Sequence, residues 1–144
     1  MRVYVAAKFE EAVRASRLMA LLRIDGHRIS YDWTVHAPGL MALLRIDGDR
    51  VTFDMPPSMS DAEIACIAHL DIEGVRTADA IVVLYHPRLK GGLVEMGGAL
   101  ALGIRVVVVD ADPADPCIFF RHPSIEHVES DEVVRGQLLF RGDA

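Results

Sequence analysis

A three-layer α/β sandwich around a parallel sheet of about five strands is the architecture these 144 residues encode. Two near-continuous β-branched runs, residues 80–85 and 104–109, have the pattern of central strands buried on both faces. Residues 2–32 read as strand, helix and strand, a βαβ unit whose two strands must pair in parallel. A helical stretch, 91–102, separates the two apolar runs, so the same alternation continues into the C-terminal half.

Arg2 to Ala6 is a short β-rich run and the natural first strand. Lys8-Phe9-Glu10-Glu11 opens a helix, with its acids at the positive end of the helix dipole. Val13, Leu18, Leu21 and Leu22 form its apolar stripe, and Asp25-Gly26 ends it. Arg28 to Asp32 is the second strand, Ile29 and Tyr31 alternating with Arg28 and Ser30.

A repeat follows. Residues 18–33 recur at 40–55, and Met19-Ala20-Leu21-Leu22-Arg23-Ile24-Asp25-Gly26 reappears unchanged as Met41-Ala42-Leu43-Leu44-Arg45-Ile46-Asp47-Gly48. Ile29, Ser30 and Tyr31 become Val51, Thr52 and Phe53. One short repeat signals a local duplication, not a solenoid. The second copy lacks the helix-starting segment 10–17, and Ala37-Pro38-Gly39 precedes it instead. It reads either as a short helix and strand like its parent or as a β-hairpin turning at Asp47-Gly48, and the hairpin is preferred. Either way it adds bulk after the second strand, where it covers a site or offers stacking surface from Phe53.

Pro56-Pro57-Ser58 breaks the chain, and Ser60 with Glu63 forms a capping-box signature. The helix that starts there carries Ile64, Ile67, Ala68, Asp71 and Val75 at helical spacing, which puts a carboxylate on its apolar face; Gly74 is expected to end or loosen it. Ile125 to Val128 is a fifth strand, and Ser130-Asp131-Glu132 caps a last helix through Leu139. The whole reads as one Rossmann- or flavodoxin-like domain over residues 1–144, with the duplicated segment near 40–55 inserted after the second strand.

Composition narrows the function. A net charge of −6 disfavours binding to a nucleic-acid polymer. Cys66 and Cys117 are far apart in apolar surroundings and read as reduced core residues, with no metal-ligand spacing around them. No apolar run approaches the ~20 residues that span a bilayer. The N-terminus reads as a strand rather than a signal peptide. A cytoplasmic domain acting without metal or cofactor is expected.

In parallel α/β folds the ligand crevice lies outside the carboxyl ends of the strands. That rule selects Tyr4 to Phe9, Asp32-Trp33, His86 to Glu95 and Asp110 to Asp112, and with them Lys8, Phe9, Trp33, Arg88, Lys90, Gly91 and Gly92 as candidate binding residues. The glycine pair belongs to neither phosphate-loop pattern, so a dinucleotide or ATP site is not expected. Arg88 and Lys90 beside a helix N-terminus would suit an anion, or else line a solvated loop. Glu95 lies early in a helix, where an acid can serve the dipole, but glycines and Ala99 surround it and suggest a close neighbour. Asp71 can likewise be satisfied by backbone N–H groups. Two carboxylates offered to one crevice are nonetheless what glycosidic-bond chemistry requires, one attacking while the other manages protons.

Three segments carry a resemblance. Val3-Tyr4-Val5-Ala6-Ala7-Lys8-Phe9 looks like the opening strand of the nucleoside 2-deoxyribosyltransferase family. Asp71-Ile72-Glu73-Gly74-Val75-Arg76-Thr77-Ala78-Asp79 is similar to its D-x-x-G-I-x-x-A-D segment, and Gly91 to Ala99 resembles its glycine-led segment ending E-x-G-x-A. The resemblance implies that Glu95 is the nucleophile of a covalent glycosyl-enzyme intermediate, that Asp71 positions and protonates, and that the Tyr4 hydroxyl orients Glu95. It implies a nucleoside or nucleotide as small-molecule substrate and a homo-oligomer, dimeric or larger. It also implies transfer of a 2-deoxyribosyl group to another base or, as in the related monophosphate N-hydrolases, to water. The sequence departs from the family at Leu89, six residues before Glu95, where an acid or a serine is usual. Base recognition must therefore differ, and Arg88 and Lys90 tilt the substrate toward a 5′-phosphate. A non-catalytic nucleotide-binding domain is the competing reading. An electron-transfer flavodoxin is a weaker one, because the first strand–helix turn lacks a hydroxyl-rich loop.

Overall fold

The computed structural model describes residues 1–36 and 60–138 in full, together with the backbone of 44–47, 50–53 and 139–140. Residues 80–84 and 105–109 carry the β-branched runs, and they form the centre of the sheet. β1 (Arg2–Ala6), β2 (Arg28–Ile29), β5 (Ala80–Leu84), β6 (Arg105–Val109) and β7 (Ile125–Val128) make a five-stranded sheet in the order β2-β1-β5-β6-β7. Every pairing in it is parallel. All five residues of β5 and four of β6 are buried, as expected of strands covered on both faces.

The connections follow from handedness. The chain leaves β1 through α1 (Ala12–Ile24) to the edge strand β2, then reverses across β1 through α2 (Asp61–Arg76) to β5. Right-handed crossovers in opposite directions put their helices on opposite faces. α3 (Gly91–Ala101) therefore packs beside α2, and α4 (Asp131–Phe140) beside α1. Two forked pairs fasten α4 to α1: Arg135 donates to both carboxylate oxygens of Asp25 (2.7 and 2.8 Å), and Arg14 to both of Asp131 (3.2 and 2.8 Å). The α1 stripe is built from Ala12, Ala15, Leu18, Met19 and Leu22; Val13, expected in it, is 73% exposed. A 3-10 turn (Phe9–Glu11) precedes α1 and shifts its phase relative to a helix starting at Lys8.

β2 is shorter than its alternating pattern suggests, because a second 3-10 turn (Trp33–His36) takes the chain over the end of β1. Trp33 is buried there, its indole Nε1 donating to the Val5 carbonyl at 2.7 Å. The second repeat copy forms the preferred hairpin: β3 (Leu44–Asp47) pairs antiparallel with β4 (Arg50–Phe53), Leu44 opposite Phe53 and Asp47 opposite Arg50. The turn residues 48–49 and the Phe53 side chain lie outside the described residues. The same octapeptide thus ends a helix in its first copy and supplies a strand in its second.

α2 begins with the expected capping box, Ser60 accepting from the Glu63 N–H and Glu63 accepting from the Ser60 N–H. It does not end at Gly74 but continues to Arg76. Gly74 is buried in its last turn, where a Cβ would lie 2.7 Å from Tyr31 Cβ and 2.9 Å from Tyr4 Cε2. Its purpose is close approach. Cys66, expected in the core, is exposed on this helix, while Cys117 is half-buried; neither is in a disulfide.

Candidate active site

β1 and β5 are neighbours from which the chain departs in opposite directions, so the segments after them part and leave a crevice at their carboxyl ends. The first side chain to consider is Tyr4, in the middle of β1 and fully buried. Gly74 on α2 leaves room for its ring. The Tyr4 hydroxyl oxygen lies 2.9 Å from Glu95 Oε1 and 3.0 Å from Asp71 Oδ1. Glu95 comes from the second turn of α3 and Asp71 from α2, so three elements converge on one oxygen.

Burial dominates the electrostatics. The Glu95 carboxyl is pushed up to about 7, chiefly by burial and further by the nearby Asp71 charge, against the pull of the Tyr4 hydrogen bond. Asp71 is also raised, by burial above all, while Tyr4 and the positive charge available to His36 oppose the shift. The Tyr4 phenol is raised by burial and then by the two carboxylates, so it stays a neutral hydroxyl. Both acids face the same cavity. Glu95 turns inward instead of serving the helix dipole, and Asp71 meets a tyrosine hydroxyl instead of a backbone turn.

Around this centre lies a cavity of about 550 Å³, lined by Lys8, Phe9, Trp33, Asp71, Arg88, Lys90, Gly91, Gly92 and Glu95 among others. The ten residues named above as catalytic or substrate-binding candidates are therefore at one place, nine as lining and Tyr4 hydrogen-bonded to two of them. Phe9 and Trp33 meet edge to face, ring centroids 5.4 Å apart, and form an aromatic wall. Arg88 and Lys90 reach the cavity from the loop before α3, and neither forms an ion pair with another described residue. Lys8, by contrast, is paired with Glu10.

Leu89 is 5% exposed and forms part of the cavity wall, folded over Gly92, where a Cβ would stand 2.7 Å from Leu89 Cδ1. Among the described residues a Cβ added at Gly91, Gly97 or Gly98 would meet nothing within 4 Å, so the close packing expected around Glu95 is seen at Gly92 and not at those three.

The cavity also includes Glu10, His36 and Ile67, which the sequence did not single out. Ile67 lies one helical turn before Asp71 on α2, so its facing was readable from spacing. His36 is brought in by the 3-10 turn and lies 2.9 Å from the Tyr31 hydroxyl, and nothing local announces that. Glu10 looked like a helix-dipole acid. Asp32 turns away to Arg23 and Thr34, and Asp112 lines a separate cavity of about 540 Å³ with Arg121, His122 and His127. Among the described residues no group of three His, Cys, Asp or Glu is placed to hold a metal ion, and no helix is long and apolar enough to cross a membrane.

The sequence matches no family model, and it matches no curated protein sequence. Solved structures do match. A 2-deoxyribosyltransferase from Bacillus psychrosaccharolyticus superposes with a TM-score of 0.64 at 16% identity, over 94% of this chain and 90% of that one. A conserved protein from Enterococcus faecalis V583 gives 0.60 at 18% identity, over 98% of each chain. A CMP N-glycosidase from Clostridium botulinum gives 0.57 at 15% identity, over 96% of this chain and 98% of that one. With its five-stranded parallel sheet and helices on both faces, this chain has the fold of the 2-deoxyribosyltransferase and CMP N-glycosidase structures.

Proposed function

We propose that this protein is an enzyme that cleaves the N-glycosidic bond of 2′-deoxynucleosides and transfers the deoxyribosyl group to another base through a covalent intermediate on Glu95. The observation that carries the reading is the Tyr4 hydroxyl between two raised carboxyls on the wall of a nucleoside-sized cavity. The activities named for two structures of the same fold support it.

In this mechanism the ionised Glu95 oxygen bonds to the anomeric carbon. The carbon–nitrogen bond breaks with its electron pair going to the base, and Asp71 gives that nitrogen a proton. An acceptor base or water then attacks the same carbon, releasing Glu95 as carboxylate and returning a proton to Asp71. Tyr4 orients Glu95. Phe9 and Trp33 offer a face for the base, and no cofactor takes part.

Leu89 and two cations without an ion pair among the described residues favour a second reading, hydrolysis of a nucleoside 5′-monophosphate. Leu89 offers the base no hydrogen bond, and Arg88 and Lys90 at the start of α3 would hold a phosphate along with Lys8, Gly91 and Gly92. A non-catalytic nucleotide-binding domain is the reading to be excluded. Incubation with deoxynucleosides, their monophosphates and CMP, with and without an acceptor base, separates these readings by chromatography. Base exchange marks the transferase, and free sugar or sugar phosphate marks the hydrolase. Absence of free or exchanged base from every substrate would sink the enzymatic reading. Release unchanged in Glu95→Ala would sink the nucleophile.

The reading extends to a single cytoplasmic domain over 1–144 that works as a homo-oligomer. The outer face of α3 carries Val94, Gly97, Ala101 and no charge, and of the sixteen residues of α2 only Gly74 and Val75 are buried. In this reading two copies bury these faces against each other.

A further inference from the structure

We infer that Glu95, Tyr4 and Asp71 share one titratable proton, which the Tyr4 hydroxyl passes between the two carboxyls. The inference rests on the site of the proposed function but concerns the free protein. It follows from counting hydrogens. A phenol has one O–H to donate and can accept through its oxygen, whereas an ionised carboxylate only accepts. The Tyr4 oxygen lies within hydrogen-bond distance of both Glu95 Oε1, at 2.9 Å, and Asp71 Oδ1, at 3.0 Å. With both acids ionised, one hydrogen would serve two negative oxygens, and one contact would be a bare repulsion beside a fully buried ring. Both contacts are satisfied when one carboxyl is protonated and donates to the Tyr4 oxygen while Tyr4 donates to the other.

Among the described residues no cation relieves this requirement by direct contact. Lys8 beyond β1 is paired with Glu10. From the turn after β2, His36 faces Asp71 and meets Tyr31, and Cys66 on α2 lies nearer Tyr31. Arg88 and Lys90 line the cavity without a hydrogen bond to either acid among the described residues. Neither α3, apart from Glu95 itself, nor β5 carries a titratable side chain.

The shared proton gives the site two forms of equal net charge. In one, Glu95 is the acid and Asp71 the carboxylate. In the other, Glu95 has given its proton to the Tyr4 oxygen as Tyr4 gave its own to Asp71, two O–H bonds breaking and two forming. The second form alone is armed, because it creates nucleophile and proton donor in one move. Tyr4 is thus a proton conduit as well as a positioning residue.

The test is a carboxyl titration of the free, full-length protein by carbon-13 NMR with labelled Asp and Glu, in the wild type, Asp71→Asn, Glu95→Gln and Tyr4→Phe. One protonated carboxyl per chain is expected at pH 6, with both labelled signals moving together through the same steps. Asp71→Asn, whose amide can donate to Tyr4 without titrating, should lower the Glu95 midpoint at least tenfold in proton concentration. Tyr4→Phe should abolish the joint movement in a chain whose remaining spectrum shows it folded. Two ionised carboxyls in the wild type at pH 6, or a Glu95 midpoint unmoved by Asp71→Asn, would overturn the inference. Because no substrate is present, an absence of glycosidase activity would leave this result standing, and base release without a shared proton would refute the conduit alone.

Discussion

Glu95 shows at a single residue how burying a carboxyl works against stability. Its carboxyl is held near 7, against about 4.5 in an unfolded chain, so the native state binds this proton more tightly than the unfolded state does. The associated stability is fully present below pH 4.5 and is lost as pH rises through 7. Glu95→Gln removes the titration while keeping an acceptor for Tyr4. It should therefore stabilise the protein by about 1 kcal/mol at pH 5 and by about 3 kcal/mol at pH 8. Urea unfolding at the two pH values measures this, and a gain independent of pH would contradict it. Gly74 is the second such residue. A methyl group there meets Tyr31 and Tyr4, so Gly74→Ala should cost about 1–3 kcal/mol and move the Tyr4 hydroxyl off the two acids. For the proposed reaction, kcat should fall by at least tenfold with the fold retained by circular dichroism. Helical spacing pointed to Asp71 and the strand-end rule with small neighbours to Glu95, but Gly74 was expected to end or loosen its helix, because a tyrosine seventy residues away is invisible to a local pattern.

Among the α-helices, α2 has the most to do with the least burial. It carries Asp71 to the site, yet most of its length is exposed, so its own local signals matter. Ser60→Ala removes the capping box and should destabilise the protein by about 0.5–2 kcal/mol in thermal melts. Asp71 lies three turns away, so KM for the proposed substrates should change little. The repeat shows the opposite limit. Met19 to Ile24 is helical in α1 because residues 12–18 have already nucleated the helix and because Met19 and Leu22 bury against the sheet. Without that upstream half, the identical second copy contributes β3, paired to β4. Context decides between the two forms here, and the local hints were the Asp47-Gly48 turn signal, the missing segment 10–17 and the strand-suited residues on either side of the turn.

At the scale of the whole molecule, the sheet order brings β1 beside β5 and sets α2 and α3 together on one face. The acids point inward from that pair, and Val94, 65% exposed, points outward with the small residues around it. If a second copy covers this face, Val94→Arg should place a charge in a self-complementary interface and dissociate the oligomer. Sedimentation velocity reads this directly; a wild type already monomeric at tens of micromolar would remove the proposal. The circular dichroism spectrum should not change, because the residue touches no core.

The sequence by itself determined the order of strands and helices, the parallel sheet and the three segments that hold Tyr4, Asp71 and Glu95. Each is written locally, in β-branched runs, a capping box, a glycine pair and helical spacing. Only the tertiary structure decided that one hydroxyl stands between two carboxyls 67 and 91 residues away from it, that Leu89 walls the cavity, and that one octapeptide takes two forms. The reason is physical: local pattern sets which face of an element is apolar, whereas burial raises a carboxyl and selects a conformation only after distant segments have closed around it.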